Sequence, residues 1–139
     1  MIVIDSSVAF KWLKSKDEPH YEKAAALLEQ YIKGEVRIVA PNLLFIEIAN
    51  ALATKTASKP KTILADLRAL YDFGLEIYRE TEDDVATSSL LARKKKTSVY
   101  DMLYAVIAKR LGTELITADE QFVRKTKFSH VLLLRDYEL

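Results

Sequence analysis

The sequence predicts an α/β domain on a mainly parallel five-stranded sheet, and three observations lead there. Short β-rich runs at Ile2 to Ile4, Val36 to Val39, Leu75 to Tyr78, Glu114 to Ile116 and Val131 to Leu134 alternate with longer helical patterns, the rhythm of strands joined by crossover helices. Half of the 139 residues are hydrophobic, enough for one substantial core, so residues 1–139 read as a single domain. There is no internal repeat, and the solvated stretch from Thr54 to Lys61 links helices rather than domains.

The elements follow in order. Ser6 and Ser7, just after the first strand, are candidate caps for a short helix through Leu13. Tyr21 to Lys33 carries helical apolar spacing that Gly34 ends. The next helix is expected to start near Pro41 and run to about Lys55. Pro60 has the place of a first-turn proline in a helix to about Asp72, stopped by Gly74. Glu82, Asp83 and Asp84 at the start of a further helix and Arg93 to Lys96 at its end both complement a helix dipole. A last long helix spans Ser98 to Leu111, closed by Gly112.

Composition excludes several classes of function. Twenty-one Lys and Arg face twenty Asp and Glu, a net charge of +1, so any polyanion-binding surface must be local. The absence of cysteine removes disulfides, thiolate nucleophiles and cysteine-based zinc sites, and fits a reducing, cytoplasmic location. The chain opens on Met1-Ile2-Val3-Ile4-Asp5 without the pattern of a secretory leader. The most apolar long stretch, Ile38 to Ala53, contains Pro41, Asn42, Glu47 and Asn50. It reads as a buried helix carrying something costly, not as a membrane span.

Four acids stand apart from the solvated majority. Asp5 directly follows the first strand and Asp119 follows the Leu115-Ile116 strand, so both are expected at carboxyl ends of parallel strands, where open α/β sheets bind ligands. Glu47 lies within Leu43-Leu44-Phe45-Ile46-Glu47-Ile48-Ala49, where an unpaired buried carboxylate would cost several kcal/mol, so it needs a partner. Asn50 and Thr54 share its helix face. Asp101 opens the apolar run Met102-Leu103-Tyr104-Ala105-Val106. Each also has a plainer explanation: a strand-end or cap role for Asp5, a dipole-favoured first-turn place for Asp101, a helix start for Asp119.

Together they say more. Like charges converging on one site raise one another's pKa unless a cation neutralises them. With oxygen ligands only, the expected cation is hard, Mg²⁺ or Mn²⁺, with water in its remaining positions. The hydroxyls of Ser6, Ser7 and Thr117 stand beside Asp5 and Asp119 in sequence and are candidates for orienting waters or carboxylates, or for helix capping.

These residues resemble the PIN-domain nucleases, and most of all the VapC toxins of prokaryotic VapBC toxin–antitoxin pairs. The likeness rests on Ile4-Asp5-Ser6-Ser7-Val8, Pro41-Asn42-Leu43-Leu44-Phe45-Ile46-Glu47-Ile48-Ala49-Asn50-Ala51-Leu52, Tyr100-Asp101-Met102-Leu103-Tyr104-Ala105-Val106-Ile107-Ala108 and Leu115-Ile116-Thr117-Ala118-Asp119, in that order over nearly the whole chain. The resemblance implies a PIN-like three-layer sandwich with the sheet flanked by helices, and Asp5, Glu47, Asp101 and Asp119 as a catalytic, metal-binding quartet with Thr117, Ser6, Ser7 and Asn50 as accessories. It also implies an Mg²⁺- or Mn²⁺-dependent ribonuclease, usually a homodimer, held inactive by a small VapB-like antitoxin and without membrane contact. The expected chemistry is hydrolysis of RNA phosphodiesters to 5′-phosphate ends, Glu47 acting as a ligand or as a base orienting water.

An RNA substrate needs basic groups near the acids. Lys11, Lys14, Lys16 and the run Arg93-Lys94-Lys95-Lys96 are the candidates, although a charge run also suits a solvated helix end. Phe10 and Trp12 are able to stack on bases, but core or dimer packing is the expectation for both. His20 and His130 are expected in surface or structural roles. A phosphorelay receiver would need a phosphoacceptor Asp where Arg79 follows the third strand, and a haloacid-dehalogenase-like phosphatase would need an Asp at Ser7. The alternatives that survive are a housekeeping RNA-processing enzyme with the same site and a catalytically idle RNA- or partner-binding module on the same fold.

Overall fold

The computed structural model describes residues 1–14 and 18–139, so Lys16 lies outside the described residues. The elements are β1 (Ile2–Ile4), α1 (Ser6–Leu13), α2 (Tyr21–Ile32), β2 (Ile38–Pro41), α3 (Leu43–Thr54), α4 (Pro60–Asp72), β3 (Glu76–Tyr78), α5 (Glu82–Lys95), α6 (Val99–Arg110), β4 (Leu115–Thr117), α7 (Glu120–Thr126) and β5 (Val131–Leu133). A single 3₁₀ turn, Leu134–Asp136, follows β5. All strand pairs are parallel, in the order β3-β2-β1-β4-β5, and helices flank the sheet.

This order positions the site. From β1 the chain builds outward to β2 and β3, then returns to the other side of β1 with β4 and β5. The reversal leaves a crevice at the carboxyl ends of β1 and β4, the place where such sheets bind ligands. Val3 pairs with Leu115 and Ile4 with Ile116, so Asp5 and Thr117 stand at neighbouring strand ends.

The three inner strands β1, β2 and β4 are buried throughout, whereas β3, at an edge, is mostly exposed. Residues Met102 to Ala108 of α6 are all buried. This helix packs on β1, β4 and α5, and each large apolar side chain it buries contributes roughly 1.5–3 kcal/mol. Its first turn is pinned by Ser98, whose hydroxyl accepts from the Asp101 amide at 3.0 Å. Gly112 ends it and Gly74 ends α4, both at positive φ, a conformation without steric cost only for glycine.

Two boundaries differ from the sequence reading. Ile38 to Ala53 is not one buried helix: β2 takes Ile38–Pro41 and α3 begins at Leu43. Pro41 therefore closes a strand, its last register pair being Tyr78. The cap of α1 is Asp5, not Ser6 or Ser7, because the Asp5 carboxylate accepts from the Ser7 and Val8 amides. No helix among the described residues is long and apolar enough to cross a membrane.

Candidate active site

Asp5 is almost enclosed, with 8% of its surface exposed. Its Oδ1 accepts from the Ser7 amide at 3.0 Å, the Ser7 hydroxyl at 2.5 Å and the Val8 amide at 3.3 Å. Its Oδ2 accepts from the Thr117 hydroxyl at 2.5 Å. Oδ1 is thus crowded with donors, while Oδ2 has one and keeps acceptor capacity. Each hydroxyl also receives a bond from the end of β4: Ser7 Oγ accepts across the crevice from the Ala118 amide at 2.8 Å, and Thr117 Oγ1 accepts locally from the Asp119 amide at 3.0 Å. The start of α1 is therefore laced to the end of β4.

Asp119 caps α7, its Oδ1 accepting from the Phe122 amide at 2.9 Å. A cap role is real for both Asp5 and Asp119, and in both it fixes the carboxylate at the sheet edge. Asp119 lines two spaces at once. One is a cleft of about 1100 Å³ shared with Ser6, Ser7, Phe10, Glu47 and Tyr100; the other is a small cavity of about 110 Å³ shared with Asp101, Lys96, Ser98 and Lys125.

Glu47 is half-buried in the cleft wall. Its partner is not the polar stripe on its own helix. Asn50 and Thr54 are exposed, and the Thr54 hydroxyl donates to the Asn50 backbone carbonyl. The partner is Tyr104 of α6, whose hydroxyl donates to Glu47 Oε1 at 2.5 Å. Sequence reasoning missed Tyr104, although a tyrosine inside an aliphatic buried run needs an acceptor and so carried a signal.

The electrostatics join the acids through Asp101. Burial pushes Asp5 up to about 6 against the bonds from Ser7, Thr117 and Val8, and the Asp101 charge adds to the rise. Glu47 is also raised, by burial and by Asp101, against the bonds from Tyr104 and Ser6 and the charge of Lys55. Asp101 is raised by burial and by Asp119, while Ser98 and Lys125 act the other way. Burial, then the charge of Glu47 and its hydrogen bond, keep Tyr104 neutral far above the ordinary tyrosine range. Among the described residues none of the four carboxylates forms an ion pair.

The donor set fits a hard divalent cation. Every candidate ligand is an oxygen, and the mutual repulsion of the acids is what a cation would relieve. Among the described residues no group of three or more acidic or histidine side chains is close enough to hold a metal ion by itself.

The basic and aromatic candidates divide. Lys11 is buried against Glu18 at 2.9 Å and Lys14 pairs with Asp66 at 2.7 Å, so both charges already have partners. Arg93 and Lys94 are exposed, and Lys95 lies 5.4 Å from the centre of the Phe128 ring. Lys96 lines the small cavity beside Asp101 and Asp119. Lys125, outside the basic run, reaches the same cavity from α7 and donates to the Lys96 carbonyl at 2.9 Å. Trp12 packs edge-on against Phe73 and donates to the Ala24 carbonyl. Phe10 lines the cleft. His130 bonds the Ala105 carbonyl at 2.9 Å, and His20, exposed at the cleft margin, precedes α2 in a left-handed conformation.

The PIN domain family matches residues 2–127. The chain belongs to that family. No curated protein matches it in sequence. Among solved structures, this PIN domain is similar to PAE2754 from Pyrobaculum aerophilum, with a TM-score of 0.69 and 19% identity over 96% of this chain and 89% of that one. It is similar to a toxin–antitoxin complex from Klebsiella pneumoniae, with a TM-score of 0.71 and 15% identity over 100% of both chains. It is also similar to FitAB bound to an IR36 DNA fragment, with a TM-score of 0.66 and 18% identity over 100% of this chain and 99% of that one. At these identities the likeness is one of fold.

Proposed function

We propose that this PIN domain is an Mg²⁺- or Mn²⁺-dependent ribonuclease acting as the toxin of a type II toxin–antitoxin pair. The observation that carries the reading is the gathering of the acids near the carboxyl ends of β1 and β4, where Asp5 is bound by Thr117 and Asp119 lines one space with Glu47 and another with Asp101, with no ion pair to any of them among the described residues. When bound, the metal supplies activation of water and neutralisation of the phosphoryl and departing 3′ oxygens. Asp5, through Oδ2, with Asp101 and Asp119 would hold it, and Glu47 is a further ligand or orients the attacking water. The Ser7 and Thr117 hydroxyls keep Asp5 in one orientation. Lys96 and Lys125 are the cations best placed to meet an RNA phosphate. The product ends would be 5′-phosphates.

The toxin assignment draws on likeness to a toxin–antitoxin complex over the full length of both chains. It brings with it a small VapB-like antitoxin whose tail covers the acidic cleft, an Arg or Lys competing with the metal, a homodimer and a cytoplasmic site of action. The test is RNA cleavage with end mapping by the wild type, Asp5→Asn and Asp101→Asn, with and without chelator. Metal-dependent cleavage confined to the wild type is expected, and cleavage that survives the substitutions or the chelator refutes the reading. For the partner, the product of a short neighbouring reading frame is expected to abolish cleavage at saturation; unchanged cleavage rejects the toxin assignment.

A further inference from the structure

Tyr104 lies on α6 three residues after Asp101, and none of its surface reaches solvent. Its hydroxyl bond leaves the helix that carries Asp101 and ends on the helix that carries Glu47. A phenylalanine would fill the same volume and need no acceptor. What the hydroxyl adds is the contact with Glu47 Oε1 alone among the described residues.

That contact has a geometric consequence. A glutamate at a cleft wall has several rotatable bonds and samples many rotamers. A ring packed on all sides does not move, so its hydroxyl holds Oε1 and thereby sets where Oε2 points. The donor is also an uncharged phenol. A lysine in its place would hold Glu47 equally well but would cancel the negative charge that a cation requires, whereas a phenol orients the carboxylate and leaves its charge in place. Lys55, whose charge favours the Glu47 carboxylate, is exposed and makes no bond to it among the described residues.

We propose that Tyr104 is a positioning residue of the site, holding the Glu47 carboxylate at a fixed offset from Asp101, so that its second oxygen is oriented before metal and RNA arrive. The proposal rests on the metal-dependent nuclease reading above.

The variant is Tyr104→Phe, which keeps the packed ring. Three measurements are compared with wild type: Mn²⁺ affinity of the metal-free protein by electron paramagnetic resonance, RNA cleavage separated into kcat and KM, and thermal melting of the metal-free form. Mn²⁺ affinity and kcat are each expected to fall roughly 10- to 100-fold, the usual effect of losing a group that orients a ligand, with KM for RNA unchanged. In a Glu47→Gln background, Tyr104→Phe is expected to change Mn²⁺ affinity no further. Unchanged Mn²⁺ affinity and kcat, with only the melting point moved, would make Tyr104 a core residue and overturn the proposal. So would an equal loss of affinity with and without Glu47. A wild type that binds Mn²⁺ but cleaves no RNA refutes the nuclease reading alone, and the affinity comparison still decides Tyr104. A wild type that binds no Mn²⁺ overturns both.

Discussion

Asp5 and Asp84 are both buried, both hydrogen-bonded and both involved in starting a helix, yet one carboxyl is held above the ordinary range and the other below it. Asp84 sits in the first turn of α5, completing a capping box with Thr81, and also accepts from the Tyr78 hydroxyl at 3.0 Å and pairs with Arg110. Burial works against its charge, but the Thr81 amide, the Tyr78 and Thr81 hydroxyls and the Arg110 guanidinium outweigh it and hold it below the ordinary range. Asp5 has as many donors, but its nearest charged influence is another acid, Asp101, and burial prevails. At Asp84 the hydrogen bonds from Thr81 and Tyr78 weigh most against the loss of water and a cation from the chain adds to them, whereas at Asp5 burial outweighs the hydrogen bonds. The two lie toward opposite ends of α6, Arg110 at its last residue and Asp101 in its first turn, about 14 Å apart along the axis. One end of the helix carries its own counter-ion, and the acids at the other have no ion pair among the described residues.

The contrast is open to breaking. The largest expected effect is on activity: Asp5→Asn or Asp101→Asn should lower RNA cleavage more than about 100-fold, beyond the effect of disturbing an outer partner, in single-turnover assays. Asp84→Asn should leave the rate per folded molecule unchanged.

Stability should move the other way. The folded-state value of Asp5, about 6, lies above the ordinary 3.8. The fold therefore bears no penalty from this group below pH 3.8, an increasing one up to about 6, and the full one above. Asparagine keeps the cap without the charge. Metal-free Asp5→Asn should thus be more stable than wild type by up to about 3 kcal/mol at pH 7, the gain vanishing near pH 4, as followed by denaturant melts. Equal stability at both pH values would show that the hydrogen bonds suffice after all.

Asp84→Asn should lose about 2 kcal/mol at pH 7, since it leaves Arg110 and the Tyr78 hydroxyl poorly matched. Magnesium at ten times its Kd should stabilise the wild type by about 1.4 kcal/mol and Asp5→Asn hardly at all in a thermal shift experiment. The smallest effect is at the cavity beside Asp101: Lys96→Gln should reduce the slope of log affinity for single-stranded RNA against log salt by about 0.7, one phosphate contact. An unchanged slope would remove Lys96 from the RNA path.

Much of this was legible along the chain. The alternation of β-rich runs with helical patterns gives the parallel sheet, because strand and helix periods are local properties of the sequence. Gly74 and Gly112 mark their helix ends through their own backbone freedom. Asp5 and Asp119 could be placed at strand ends for the same reason. Glu47 is the instructive case. Its apolar neighbours announced that a partner must exist, but periodicity offered Asn50 and Thr54, the only candidates on its own helix. Lys11 and Lys14 looked free for RNA, and their partners Glu18 and Asp66 come from α2's approach and from α4.

What the sequence alone determined is the set of local facts: which segments are strands and helices, that four acids stand where solvation cannot explain them, and that only oxygen ligands are available. The tertiary structure decided what those facts meet. It chose Tyr104 for Glu47, laced Asp5 to Ser7 and Thr117 across a crevice, and gave Arg110 to Asp84 while leaving Asp5 without a cation among the described residues. Hydrogen bonds and charges act over a few ångströms in space, and residues far apart in the chain reach that distance only after the sheet and its helices have packed.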